Sequence, residues 1–229
     1  MYDWGNSDQV PWYGVRDQVT SVVIGEGVTT VGANALFGMR YLASVTLPST
    51  LASIGDNAFA NALDLGAIEL PAGLASIGEG AFHMSGLVSM ALPDSVTYLG
   101  EMAFMSCANL SEVRLSAGLS EVPSWAFYGC GRLASVEILE GVGRIGSLAF
   151  FDCPNLQRIY IPSTVGWIES QAFSDDVSST VTIYYGGTSE AWVCAFSAEE
   201  NPVLMACAIE FQATGLGTDV SSVAAPQGV

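Results

Sequence analysis

Apolar residues recur along this chain with a period of 23 positions. Repeat units begin at Val19, Leu42, Leu65, Leu87, Leu110, Leu133 and Leu156. Each unit before the last has 23 residues except the third, which has 22, and an eighth, partial unit contains residues 181–184. A fixed period of this length is typical of a solenoid, in which each unit forms one coil and buries its apolar face against the next coil.

The pattern inside a unit predicts its local structure. Positions 4 and 6 are apolar and alternate with positions 3 and 5, which indicates a strand with one inward face. Positions 10 and 13 place a second apolar pair on the opposite wall, and glycine at position 14 favours a turn. Pro123 and Glu169 replace that glycine in two units. Ala-Phe pairs at positions 17 and 18 fill the core from a third side, at 58–59, 81–82, 103–104, 126–127, 149–150 and 172–173.

The second unit carries a family resemblance. Its run from Leu42 to Phe59, LASVTLPSTLASIGDNAF, resembles the BspA-type leucine-rich repeat of bacterial surface proteins, and the resemblance covers about residues 19–186. Residues 11–13 and 185–192 are similar to the segments that open and close such arrays. The resemblance implies a secreted or cell-surface location, adhesion, and binding to host or matrix proteins.

We therefore expect an α/β-type repeat solenoid of the leucine-rich repeat class, right-handed, with seven to eight coils whose parallel strands form one sheet along one face. The expected divisions are a cap at 1–18, the solenoid at 19–186, a second cap at 187–213 and a linker-like tail at 214–229. Open ends need covering because they expose apolar rungs and strand edges. The covering residues predicted are Trp4, Trp12 and Tyr13 at the start, and Trp192, Val193, Phe196 and Phe211 at the end.

Charge narrows the choice of partners. The chain has 23 acidic residues against 6 arginines and no lysine, a net charge of −17. Such a surface repels nucleic-acid phosphates and anionic lipid headgroups, so we expect neither partner. No apolar run is long enough to cross a membrane, and the first residues lack the features of a signal peptide. The chain is then either cytoplasmic or a piece of a longer secreted protein.

Three of the five cysteines form a column. Cys107, Cys130 and Cys153 lie 23 residues apart at the same position of their units. We interpret them as stacked buried thiols, because a straight column does not converge on a metal and suits a disulfide poorly. Cys194 and Cys207, near the end of the chain, could instead form a pair.

Nothing in the sequence indicates catalysis. His83 is the only histidine, it occupies a variable turn position, and no nucleophile elbow, phosphate-binding loop or calcium loop accompanies it. We therefore predict no enzyme, no catalytic residues, no metal and no cofactor.

The candidate binding residues lie on the last three complete units. Outward positions 3 and 5 carry Glu112, Arg114, Glu137, Arg158 and Tyr160 there, whereas the first four units carry mostly small residues. Arginine and tyrosine are frequent in binding hot spots. The simpler alternative is that Arg114 and Glu137 form a cross-strand surface ion pair. Trp167, at position 12 on the opposite wall, is an outward tryptophan and a separate candidate.

Four functions remain open at this point. A non-enzymatic protein-interaction module, used in adhesion, fits the long regular surface of a solenoid and the family resemblance. A structural spacer that presents neighbouring domains fits the bland first four units. A glycan-binding module would stack sugars on Trp167 or Tyr160. A cytoplasmic scaffold would suit reduced cysteines.

Overall fold

The structure, a computed structural model, is a parallel-strand solenoid of about eight turns with little helix. It describes residues 3–174, 181–195, 204 and 206–215, except for the side chains of residues 7, 194 and 195. We number the coils by their repeat units, so that coil one begins at Val19 and coil seven begins at Leu156. The predicted repeat solenoid is confirmed.

Every complete coil except coil three has two short strands, and together these form two walls. The front wall contains β1 Ser21–Val23, β3 Ser44–Thr46, β6 Ser89–Ala91, β8 Glu112–Arg114, β10 Ser135–Glu137, β12 Arg158–Ile161, β14 Thr182–Tyr185 and β15 Ala208–Phe211. The back wall contains β2 Thr30–Val31, β4 Ser53–Ile54, β5 Ser76–Ile77, β7 Tyr98–Leu99, β9 Glu121–Val122, β11 Arg144–Ile145 and β13 Trp167–Ile168. The third side consists of turns, and all described strand pairs are parallel.

The walls are interrupted, so the expectation of one continuous sheet was wrong. The front wall divides into the pair β1-β3 and a six-stranded sheet that runs from β6 to β15. The back wall divides between β7 and β9. Pro123 explains the second break, because the residue at position 14 elsewhere donates its N–H to the preceding coil, as Gly100 does to Ile77 O at 2.8 Å. Proline has no N–H to donate to Leu99.

A column of phenylalanines forms the centre of the core. Adjacent rings stack with centroids 5.2–5.4 Å apart, from Phe59 through Phe82, Phe104, Phe127 and Phe150 to Phe173. The first five rings are completely buried. Their backbones also connect the coils, since Phe59 N donates to Ala81 O at 2.7 Å and Phe82 N to Ala103 O at 2.8 Å. Each inner ring therefore stacks on the ring of the coil before it and on the ring of the coil after it.

The glycines at position 14 fit a close approach between the backbones of successive coils, and not a special backbone angle. A Cβ on Gly78 would lie 2.6 Å from Asp56 N, and a Cβ on Gly100 would lie 2.3 Å from Glu79 N. Neither glycine has a positive φ. At position 14 of these units the backbones of successive coils therefore approach closely, because no side chain separates them.

The cysteine column is buried as predicted. The Cys107, Cys130 and Cys153 side chains are fully enclosed, and each thiol donates to a phenylalanine carbonyl of the preceding coil at 3.1–3.3 Å. Ser85 occupies the same position in coil three, with its Oγ 3.3 Å from Cys107 Sγ. Burial raises the pKa of Cys107 to about 11. The proposed pairing of Cys194 with Cys207 lies outside the described side chains.

The N-terminal segment covers coil one with its tryptophans. Two short 3₁₀ helices, Ser7–Gln9 and Tyr13–Gln18, precede β1. The Trp12 indole N–H donates to Ala35 O at 2.7 Å, and Trp4 N donates to Ala33 O at 3.1 Å. Tyr13 is exposed instead, with the Arg16 guanidinium 4.0 Å from its ring centroid. Tyr13 was therefore wrongly expected to cover the coil.

At the other end, the sheet gains a strand that the repeat pattern does not contain. β15 pairs with β14 beyond the last repeat unit. The helix α1, Ser189–Ala195, buries Trp192 edge-on against Tyr185, with ring centroids 5.0 Å apart. Val193 is 73% exposed and does not cover the core. Phe211 is 39% exposed. Phe196 lies outside the described residues.

Replacing a ring in the middle of the phenylalanine column should weaken two coil contacts at once. We expect Phe104→Ala to lower the free energy of unfolding by about 3–5 kcal/mol, the usual result of removing a buried phenylalanine. The exposed Val193 provides the control, since Val193→Ala should change it by less than about 0.5 kcal/mol. Denaturant unfolding followed by circular dichroism measures both; equal losses would contradict a continuous core.

The buried thiols should resist modification while the protein is folded. With a pKa of about 11, only about one Cys107 side chain in a thousand is a thiolate at pH 8. We expect a thiol reagent to leave Cys107, Cys130 and Cys153 unmodified in buffer and to label all three in denaturant. Peptide mapping by mass spectrometry distinguishes the sites. Rapid native labelling of any of the three would show that the column opens.

Candidate functional site

The front wall brings five of the six candidate residues onto three adjacent strands. Parallel pairing aligns Arg114 with Glu137 and Glu137 with Tyr160, which forms one row across β8, β10 and β12. A second row aligns Glu112, Ser135 and Arg158. Because residues two apart on a strand point to the same side, both rows face outward.

Arg114 lies between two carboxylates from different coils. Its Nη1 is 3.2 Å from Asp94 Oδ1, and its Nε is 3.7 Å from Glu137 Oε2. The Arg114 side chain remains 42% exposed, and exposed ion pairs contribute little stability. The cross-strand ion pair between Arg114 and Glu137 is therefore present in the structure. Arg114 bridges two carboxylates whether or not it also binds a partner.

Asp94 is held ionised by two donors. The backbone N–H of Ala117 is the larger cause that lowers the pKa of Asp94, and the Arg114 guanidinium is the second. The same carboxylate oxygen accepts from both groups. The Asp94 side chain thus connects the turn after β6 to β8 and to the loop that follows β8.

Tyr160 is buried, contrary to expectation. Its exposed fraction is 5%, and its hydroxyl donates to Glu140 Oε1 at 3.4 Å. Later chain lies over this row: a Cβ on Gly186 would be 2.9 Å from the Tyr160 hydroxyl, and one on Gly215 would be 2.9 Å from Glu137 Oε1. Burial, followed by the nearby Glu140, raises the pKa of Tyr160. Later chain therefore covers the ring, which offers no open stacking surface.

Glu112 and Arg158 are accessible to different degrees. Glu112 is exposed and Arg158 is half-buried, and Ser135 separates them in the row. Within the described part of the chain, no carboxylate lies within ion-pair distance of the Arg158 guanidinium. Arg158 therefore differs from Arg114, whose guanidinium is already engaged.

Trp167 lies on the back wall, away from the other five candidates. It is 50% exposed and pairs across strands with Arg144. Arg144 in turn joins Glu121 at 3.2 Å and Glu169 at 2.5 Å. Glu169, which replaces the turn glycine in this unit, also accepts from Ser147 N.

The Arg144 network escaped the sequence analysis, although a signal was present. Glu121, Arg144 and Trp167 occupy position 12 in three successive units, and parallel pairing at a fixed period makes such residues neighbours. The opposite charges of Glu121 and Arg144 at position 12 of neighbouring units thus indicate the ion pair across β9 and β11.

The described residues offer few features of a reactive centre. They contain no group of three or more His, Cys, Asp or Glu side chains placed to hold a metal ion. Burial lowers the pKa of His83. Within the same residues, no helix combines the length and apolar character needed to span a bilayer.

Comparison with known sequences identifies the family. A sequence model described as the BspA type leucine rich repeat region matches residues 13–130 and 76–197, with six copies. These two ranges cover most of the chain. The chain belongs to the BspA-type leucine-rich repeat family. BspA-type proteins are typically bacterial surface proteins, and leucine-rich repeat proteins of this kind are generally non-enzymatic. A search of curated proteins finds no match.

Solved structures of bacterial leucine-rich repeat proteins have a similar fold. A T. pallidum leucine-rich repeat protein is 31% identical, with a TM-score of 0.58, covering 61% of this chain and 66% of that one. A leucine-rich repeat protein from Bacteroides ovatus is 20% identical, with a TM-score of 0.52, covering 74% and 56%. A leucine rich cell surface protein from Faecalibacterium prausnitzii is 27% identical, with a TM-score of 0.45, covering 76% and 62%. The chain spans less than two thirds of each of these proteins.

The pKa of Asp94 tests which donor dominates the front-wall ion pairs. We expect Arg114→Ala to raise it only partly towards its ordinary value, because the larger cause, the Ala117 N–H, remains. NMR titration of the Asp94 carboxyl measures this shift. A full return to the ordinary value would mean that the guanidinium, rather than the backbone donor, holds the charge.

Proposed function

We propose that this BspA-type repeat array is a protein-interaction module that binds an acidic surface of a protein partner. The contact face is the front wall of coils five to seven, where Arg114 and Arg158 lie among Glu112 and Glu137. The family resemblance favours a host or matrix protein and an adhesive role. It also favours a secreted or cell-surface location, with a cytoplasmic scaffold as the alternative.

This proposal rests on the positions of Arg114 and Arg158. Two of the six basic residues of a chain with net charge −17 lie on three adjacent strands of one face. Arg158 has no ion-pair partner within the described residues, so its donors are available to an incoming carboxylate. The paired strands hold both side chains on a rigid surface, which reduces the entropy lost on binding.

Tyr160 takes an indirect part in this proposal. Because the ring is buried and bonded to Glu140, it positions the surface and does not touch the partner. The proposed contact residues on the front wall are therefore Glu112, Arg114, Glu137 and Arg158.

Glycan binding is a second candidate, favoured by the exposure of Trp167. Half of its surface is open on the back wall, and an exposed aromatic face is suited to stacking against a sugar ring. This site would lie on the opposite side of the solenoid from Arg114 and Arg158. A structural spacer, which binds nothing itself, is the remaining alternative.

A binding screen with matched variants tests the front-wall site. The purified chain is presented to immobilised matrix proteins, mucins and glycans, and binding is followed by biolayer interferometry. We expect Arg114→Ala/Arg158→Ala to weaken binding at least tenfold, as for central interface residues, and rising salt to weaken the wild-type interaction.

The control removes the same charge elsewhere. Arg40 and Arg132 are exposed residues outside the front strands, so Arg40→Ala/Arg132→Ala should bind like the wild type. Binding that survives the front-wall variant but is lost in Trp167→Ala would favour the glycan site. Absence of binding to the whole panel would favour the spacer.

A further inference from the structure

The front wall is open between coils two and three. β3 pairs with β1 on one side, but residues 67–70 of coil three form no strand against its other edge. In regular coils the residue after the strand bonds to the next coil, as Leu92 N does to Arg114 O and Leu115 N to Glu137 O, both at 2.9 Å. No backbone hydrogen bond joins Leu47 to coil three, although both segments lie within the described residues.

The opening is confined to the front. Behind it, β4 and β5 pair in register through Ser53 and Ser76, and the rings of Phe59 and Phe82 stack with centroids 5.2 Å apart. The two coils therefore keep their normal spacing at the back wall and in the core. The result is a wedge-shaped groove of about 630 Å³ between β3 and residues 67–71, within the size range of binding pockets.

Apolar side chains form the floor of the groove. Val45, Leu47, Ile68 and Leu70 are inward-facing residues of the repeat, yet all four are only half-buried. The corresponding residues of coils four and five, Met90, Leu92, Val113 and Leu115, are 5% exposed or less. The groove thus combines unpaired strand-edge groups with apolar surface, which are the two features of a site for an added strand.

The sequence of coil three accounts for the opening. Gly66 stands at the start of its strand region, where glycine weakens strand formation. This unit is also one residue short, and its last residue is Gly86. A Cβ on Gly86 would overlap the carbonyl oxygen of Leu63. The shortened connection therefore lies directly against the backbone of the preceding coil.

The rim of the groove is acidic. Glu26 and Glu69 border it, and its lining contains no basic residue. Bonds from the Ser49 N–H and hydroxyl lower the pKa of Glu26 and keep it charged. A complementary ligand therefore has basic side chains beside an extended backbone.

We propose that this groove binds an extended basic peptide by adding it as a strand to the free edge of β3. The peptide backbone takes the hydrogen bonds that coil three leaves unmade, alternate apolar side chains cover Val45 and Leu47, and basic side chains meet Glu26 and Glu69. This site lies outside the Arg114–Arg158 face and does not rest on the proposed function. A failure of either proposal leaves the other standing.

A short peptide provides the probe. A fluorescent peptide of sequence Leu-Ser-Arg-Val-Arg-Leu-Ser has the alternation of the chain's own front strands, and its binding is followed by fluorescence anisotropy. We expect saturable binding. It should be lost when the central valine and the following arginine are N-methylated, because methylation removes two backbone N–H donors and leaves the side chains and charges unchanged. Glu69→Gln should weaken binding about three- to fivefold. The matched variant Glu101→Gln, at an exposed glutamate outside the groove lining, should bind like the wild type.

Amide hydrogen exchange tests the groove in the free protein. We expect the Leu47 amide to exchange rapidly, the Leu92 and Leu115 amides to be protected, and Leu47 to gain protection when the peptide is added. Protection of Leu47 in the free protein equal to that of Leu92 would show a closed wall and overturn the proposal. Equal binding of the N-methylated peptide, or no binding of either peptide, would overturn it as well.

Discussion

The contact between one coil and the next is the interaction on which the rest of this structure depends. A single coil of 23 residues has an apolar face and unpaired backbone groups that it cannot satisfy alone. The stacked phenylalanines, the thiol-to-carbonyl bonds and the parallel strand pairs all join successive coils. Close approach at Gly78 and Gly100 makes this contact possible, since a side chain there would push the backbones apart.

Two local departures from the repeat alter this contact without ending the solenoid. Pro123 removes a donor and interrupts the back wall between coils four and five, while the front wall continues across it through β6 and β8. Coil three has the opposite arrangement, because its front strand is missing while β5 remains paired with β4 and β7. The two breaks lie on different walls and in different coils, so at every step at least one ladder is intact.

Arginines on both walls bridge carboxylates from neighbouring coils. Arg114 joins Asp94 of coil four to Glu137 of coil six, and Arg144 joins Glu121 of coil five to Glu169 of coil seven. Both residues thus reduce repulsion in a strongly acidic chain. Arg158 has no such bridge within the described residues, and for that reason it is the stronger indicator of a binding surface.

The sequence alone determined the coil length, the inward positions, the phenylalanine and cysteine columns and the membership of the family. These follow from periodicity, because residues at equal positions of successive units must become neighbours once the strands pair in register. The tertiary structure decided what lies over or between the coils. Gly186 lies against the hydroxyl of the buried Tyr160, and Gly215 lies against Glu137. No repeat position encodes these contacts.

The conformation of the turns was also outside the reach of the pattern. Position 16 adopts a positive φ in every complete coil, at Asn34, Asn57, Gly80, Met102, Trp125, Leu148 and Gln171. Asparagine and glycine accept this conformation readily, whereas Met102 and Leu148 adopt it at an energetic cost. Those side chains give no local signal for it, because packing between the coils, and not the intrinsic preference of the residue, imposes the backbone angle.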